Sequence, residues 1–445
     1  MKRTQLFTFL FACFFSMAFA QDKPTFKMSD PMPTEDKLFG LSTLWKEASY
    51  NFVWFDKQLS LNWDSVYQAY IIKVLKANTV FEVNRVWTKF LEELKDGHTG
   101  VWVNQNFWNE IDQPPISLTR FEGKIVVYRM HEVLKKIVPL KSEILQINDR
   151  EASEFLKNDS WQGFKGTEVK LFFRKPDGKT DTYIAKRNLN DLFKQGNFQY
   201  YPIASTTSAP KFLSKTLDKN IAFVQINTFS DSAVVDSFKR ILPALKEKKA
   251  LILDIRGNGG GNSEYALAIA KLITDKSYLV GPSWRTRTHH AANKAWGSFN
   301  RANAKTKDYP YKNDIEMNVW ENHPGDTVST EHEQLKLYRP VIILTSKKTF
   351  SAAEDFLIYL LGSKNIVRIG QASAGSSGQP LTINLPYDMK ARICAKRDML
   401  PDGTDYIGKG IIPDIEIPVK SIFSTDTKDL ELEAALAHLK KTGIN

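Results

Sequence analysis

The sequence has little cysteine: two residues in 445, Cys13 and Cys394. Cys13 lies in an opening segment expected to be removed. A single cysteine then remains, no intramolecular disulfide can form, and an exported chain of this kind must rely on its buried core. Long apolar runs are also missing. The stretch from Leu6 to Phe19 is shorter than the roughly 20 residues a spanning helix needs, and nothing later is apolar enough to cross a bilayer. No block of Lys and Arg reaches five, so the formal charge of +11 is dispersed over the chain. That pattern argues against a nucleic-acid arm and for a soluble basic surface. Internal repeats and low-complexity tracts are absent, and the histidines show no metal-ligand spacing. No metal and no cofactor is expected.

The opening "MKRTQLFTFLFACFFSMAFAQDK" has a basic start, an apolar stretch and Ala18-Phe19-Ala20 before Gln21. It reads as a secretory signal peptide over 1–20, which places the mature chain in the periplasm or outside the cell. A lipoprotein built on Cys13 fits less well, because Phe11 suits that cleavage poorly. Residues 21–110 form a helical module: Val66, Tyr70, Ile71 and Val74 recur at helical spacing, as do Val83, Val86, Phe90 and Leu94. Asn78-Thr79 marks the break and cap between them. Residues 111–190 turn to short strands, including "GKIVVYRM", "EILQIND" and a hairpin around Pro176-Asp177-Gly178. From 191 to 445 strands and helices alternate, the texture of an α/β core. Within it Gly281–Leu337 reads as a long irregular stretch, rich in aromatic and basic residues, that walls or gates a cleft.

Two segments carry candidate chemistry. "LILDIRGNGGGNSEYA" is a buried strand, a glycine-rich turn and a helix. It lacks the Gly-Lys-Ser/Thr ending of a phosphate loop, and Asn262 stands where a dinucleotide fingerprint wants glycine or alanine. What remains is a turn that exposes backbone N–H groups at a helix start, suited to an oxyanion. "SKKTFSAAEDFLIYLL" places Ser351 on a strand-to-helix turn. Ser351-x-x-Glu354 is a capping box, yet such a turn also presents nucleophiles in several hydrolases.

The set "LKDGHTGVW", "LILDIRGNGGG", "TFSAAEDF" and "GKGIIPDIEI", in that order, resembles the C-terminal-processing (tail-specific) and tricorn-core serine peptidases over nearly all of the mature chain. "LKSEILQINDREASEF" with its flanking strands is similar to a PDZ domain, although Ser142-Glu143 and Asp149 depart from that family's pattern. The resemblance implies an α/β fold of ββα-superhelix type, like Clp protease and crotonase, behind a helical module and a PDZ-like domain. It implies a serine endopeptidase with Ser351 as nucleophile. Gly259 or Gly260 and Ala352 would supply the oxyanion-hole N–H groups. One branch of the family uses a lysine 25 residues after the serine, and Ser376 stands there. The tricorn-like branch uses a histidine, matched by His98 in "KDGHTG". The glutamate of that branch falls at Ile407, which leaves Asp405, Asp402 and Asp96 as orienting candidates. Substrates would be proteins or peptides, engaged through their C-terminal tails. A non-catalytic ligand- or peptide-binding protein on the same scaffold is the competing expectation.

Overall fold

The computed structural model describes residues 26–444 apart from 59, 104, 195–199, 202–209, 300–308, 334, 377 and 420–427. The expected signal segment 1–20 lies outside the described residues. Helices Thr34–Asn51, Trp63–Lys76 and Val80–Glu92 form the N-terminal module. The break at Asn78-Thr79 is where it was expected. The Glu82 N–H donates to Thr79 Oγ1 at 3.2 Å and the Thr79 N–H donates back to Glu82 Oε2 at 3.3 Å. This reciprocal cap starts the third helix, whose Val83, Trp87, Phe90 and Leu91 point into the core.

That core does not close within the N-terminal residues. Ile383, Leu385, Met389, Ala391, Ile393 and Cys394 are buried in the same cluster as Phe52, Trp87 and Phe90. They come from Pro380–Leu385 and Met389–Cys394, which form a three-stranded sheet with Gly100–Trp102. The strand after His98 is thus paired with residues nearly three hundred positions away, and the helical module is fastened to the C-terminal part.

Residues 116–186 supply most of a seven-stranded sheet with its own core around Val127, Ile147, Phe155, Leu171 and Phe173. The hairpin at 168–186 turns where expected: the Gly178 N–H donates to Lys175 O at 2.9 Å.

The remaining core is a six-stranded sheet in the order Phe212–Thr216, Ile221–Ile226, Ala250–Asp254, Val341–Thr345, Ile366–Gly370 and Ile415–Glu416. The first strand is antiparallel to the second and the others run parallel. Ala250–Asp254 and Val341–Thr345 are buried at every position, as parallel strands covered on both faces must be. Helices Ala233–Lys246, Ser263–Ile273 and Ala352–Tyr359 pack on one face. The C-terminal helix Leu430–Lys441 covers the other with Ala435 and Leu439.

The stretch 281–337 is not irregular, which corrects the expectation drawn from its composition. Strand Ser283–Thr288 pairs with Val319–His323 and, on its other side, with Arg397–Met399. The Arg287 guanidinium donates to the Ser49 and Phe52 carbonyls at 3.0 and 3.1 Å, so this sheet is bolted to the helical module. Residues 300–308 of the expected gate lie outside the described residues.

Candidate active site

Three neighbouring parallel strands end at Asp254, Thr345 and Gly370, and the loops leaving those ends meet. Ligands in open parallel sheets are held outside the carboxyl ends of the strands. Here the three loops bring the glycine-rich turn, Ser351 and Ser376 together.

Ser351 has φ 55° and ψ −126°. A non-glycine residue in that region costs on the order of 1–3 kcal/mol and persists only where its surroundings hold it. The hold is visible. The Ser351 N–H donates to Glu354 Oε2 at 3.1 Å and to the Ser376 carbonyl at 3.1 Å. The glycine-rich turn packs against the same point, with the Phe350 N–H donating to Asn258 O at 3.1 Å. A Cβ at Gly260, whose φ is 92°, would lie 2.8 Å from Ser351 Cβ and 2.9 Å from Ala352 N, so only glycine fits.

Of the N–H groups expected to face an oxyanion, Gly260 donates to Asn258 Oδ1 at 2.9 Å. The Gly259 and Ala352 N–H groups have no acceptor among the described residues, and the space at Gly259 is open. The geometry therefore favours Gly259 over Gly260 beside Ala352.

Glu354 does more than cap a helix. Its carboxylate is fully buried and accepts from Ser373 Oγ at 2.6 Å, the Gly375 N–H at 2.7 Å, the Ser376 N–H at 3.0 Å and the Ser351 N–H. Burial pushes its pKa up to about 7, against the downward pull of those four donors. It clasps the loop carrying Ser376 to the start of the Ser351 helix. Local sequence shows only the capping half of this role, because Ser373–Ser376 arrive from the next strand.

His98 comes from the helical module. Asp96 Oδ2 accepts from the His98 N–H at 3.1 Å and from Thr99 Oγ1 at 2.7 Å, so Asp96 shapes the turn through the backbone. The ring lies against Phe350, centroids 4.6 Å apart and planes 21° from parallel. Nδ1 is 3.0 Å from Ser376 Oγ. Nε2 is buried with no hydrogen-bond partner among the described residues. Burial lowers the pKa of the imidazole from its usual value. The Asp96 and Asp398 charges oppose that shift, and Arg392 adds to it. The ring is thereby kept neutral at neutral pH, as a base requires.

Ser351 and His98 are not hydrogen-bonded to each other in this structure. Ser376 links them, through its hydroxyl to the ring and its carbonyl to the Ser351 N–H. The sequence offset that identified the missing lysine had located this residue without revealing its contact.

Asp405 does not meet His98, contrary to the orienting role considered for it. Its carboxylate pairs with Arg397 at 2.5 Å and Lys57 at 3.3 Å and accepts the Ile407 N–H at 3.2 Å. Burial favours its neutral form, but the Arg397 hydrogen bond and charge outweigh this and hold the pKa below the usual range. Asp402 accepts from the Thr404 N–H at 2.9 Å, a turn contact on an exposed loop. No cluster of three or more His, Cys, Asp or Glu able to hold a metal occurs among the described residues.

Residues 220–417 match Peptidase family S41, a span that includes Ser351, Ser376 and the glycine-rich turn. The carboxy-terminal processing protease CtpA of Bacillus subtilis is 23% identical over 286 residues, covering 62% of this chain and 49% of CtpA. CtpB of the same organism is 22% identical over 318 residues, 70% of this chain and 56% of CtpB. The chain thus spans about half the length of the curated relatives it matches. The structure of mature CPAF complexed with lactacystin covers 92% of this chain and 97% of its own, with 14% identity and a TM-score of 0.57. A likeness at that identity shows a shared mixed α/β fold. The chain is thus similar to C-terminal-processing peptidases, as its motifs implied.

Proposed function

We propose that this chain, which carries the S41 match over 220–417, is an exported serine endopeptidase that cleaves protein substrates through an acyl-enzyme. The observation that carries the reading is Ser351, strained and held at the meeting point of the glycine-rich turn, Ser376 and the histidine loop. In this reading His98 Nδ1–H donates to Ser376 Oγ, which sets the tautomer, and Nε2 is left to take the Ser351 proton. The Ser351 oxygen then adds to the scissile carbonyl carbon. The Gly259 and Ala352 N–H groups receive the oxyanion. The imidazolium returns its proton to the leaving amine, and water repeats the sequence on the acyl ester.

The domain reading belongs to the same proposal: a helical module over 21–110, a PDZ-like domain over 111–190 and a ββα-superhelix peptidase core over 191–445. The PDZ-like sheet would hold an extended substrate tail at an edge. Export rests on the 1–20 signal pattern. No described helix is long and apolar enough to cross a membrane. The substrates are protein or peptide chains, with no nucleic acid.

A fluorophosphonate probe tests the nucleophile. Labelling of the wild type at Ser351, absent in Ser351→Ala, is the expected result. Failure to label a folded wild type that still binds peptides would favour a binding protein on this scaffold.

A further inference from the structure

The three-stranded sheet beside the site has two unlike faces. Val101, Ala391, Ile383 and Met389 pack into or against the core of the helical module. Trp102, Lys390 and Arg392 lie on the other face and are exposed. This face begins two residues after His98 and four after Ser376. The register sets Gly100 opposite Arg392 and Trp102 opposite Lys390. Because Gly100 carries no side chain, the Trp102 indole folds back over it, within 3.6 Å of where a Cβ would sit. The indole therefore lies on the His98 side of its own residue. The Arg392 guanidinium is 4.7 Å from the centre of that ring.

The cations here differ from the carboxylate-paired arginines of the α/β core. Arg256, Arg368 and Arg397 are each paired with carboxylates. Arg392 and Lys390 have no carboxylate partner among the described residues. A guanidinium fixed on an aromatic face keeps its donors free for a planar anion. The same cation also disfavours charge on the His98 ring, in keeping with its closeness to the site. The edge of Gly100–Trp102 away from Met389–Cys394 has no strand partner among the described residues. An extended peptide can add there by main-chain hydrogen bonds.

We propose that Arg392, presented on Trp102, is a carboxylate-binding subsite for the substrate chain beside the scissile position. The carboxylate is an acidic side chain or the terminal carboxylate of a tail; both offer the bidentate acceptor that a guanidinium fits. The proposal rests on the peptidase reading, and a binding experiment separates the two.

Short fluorescein-labelled peptides are titrated into the Ser351→Ala protein and followed by anisotropy. One set walks a single Glu through the sequence, a second has Gln at each place, and each peptide is made as free acid and as amide. The expected result is about tenfold tighter binding of the best carboxylate peptide than of its neutral counterpart, equal to ~1.4 kcal/mol. The preference should weaken as salt is raised. Arg392→Gln should erase the ratio, and Arg392→Glu should reverse it in favour of Lys-containing peptides. Trp102→Leu should reduce it partway, with circular dichroism confirming that each variant folds. Preference confined to the free-acid peptides identifies the tail; preference confined to one Glu position identifies a side chain. Equal binding of carboxylate and neutral peptides, or a preference that survives Arg392→Gln, overturns the proposal. Whether Ser351 takes the fluorophosphonate is read separately and bears on the peptidase reading alone.

Discussion

The two halves of the site are built differently. The Ser351 side is one continuous piece of the α/β core, in which a buried strand, a strained turn and a helix are clasped by a carboxylate three residues on. The His98 side is carried on a turn of the helical module, and its ring reaches the core through a stack on Phe350 and one hydrogen bond to Ser376. Ser351 is thus held by many local bonds and the His98 ring by a few contacts between distant segments. Damage on the first side should cost stability and activity together, whereas damage on the second should cost activity alone.

The largest expected loss comes from the weakly tied side. His98→Ala should lower kcat by on the order of 10²-fold or more, the usual contribution of a positioned base. Circular dichroism and the melting temperature should stay near wild type. Unfolding of the variant would show that the histidine loop bears structural weight and would erase the contrast.

Glu354→Ala probes the strongly tied side. It strands the N–H groups of Gly375 and Ser376 in a buried place, which costs about 1–3 kcal/mol. Calorimetry should show a lower melting temperature, and turnover should fall with it. The carboxylate has a pH signature as well. Its raised pKa means that the folded state binds the proton more tightly than the unfolded chain does. Its contribution to stability is therefore fully present below the unfolded value near ~4.3 and is lost as pH rises through about 7. The melting temperature of Glu354→Gln should lack that component.

A smaller effect is expected at the link between the halves. Ser376→Ala removes one hydrogen bond to the imidazole, about 1 kcal/mol, or roughly five- to tenfold in rate. On the proposed reading, in which Ser376 positions His98 as the base and does not hold substrate, the loss should fall on kcat with KM kept.

The smallest change belongs to Asp405→Asn. Its carboxylate serves Arg397 and Lys57, so kcat should move by less than about twofold. Its depressed pKa makes its stabilising contribution present above the unfolded value near ~3.9 and lost as pH falls through the folded one. Asp405→Asn should therefore differ from wild type in thermal stability at pH 6 and converge with it in acid. A large activity loss in this variant would restore Asp405 as an orienting group.

The same contrast explains what could be read from the chain. The strands and helices of the core, the Thr79 cap and the hairpin at Gly178 follow from local pattern and were legible. So were Ser351 and the glycine-rich turn, because each sits on a strand-to-helix junction within one short segment. His98 was legible only through its flanking motif and the family resemblance, since a lone histidine carries no positional signal. The contacts of Ser376, Arg392 and Asp405 were not legible. They are set by which strand lies beside which: Ile366–Gly370 beside Val341–Thr345, Met389–Cys394 beside Gly100–Trp102, and Arg397–Met399 beside Ser283–Thr288. The stretch 281–337 was misread for the same reason. Its strands pair with partners some thirty residues and over a hundred residues away, and Trp, Arg and Thr on a half-exposed sheet give no clear alternation.

The pH dependence of fluorophosphonate labelling at Ser351 tests the central claim most directly, because it reports the base without needing a known substrate. With a buried His98 as base, the labelling rate should fall on the acid side with a single ionisation below the ordinary histidine value of ~6.5, and His98→Ala should lose that ionisation along with most of the rate. An acid limb at about 7, where Glu354 titrates, or a limb well above it that persists in His98→Ala as a lysine base would give, would contradict the account.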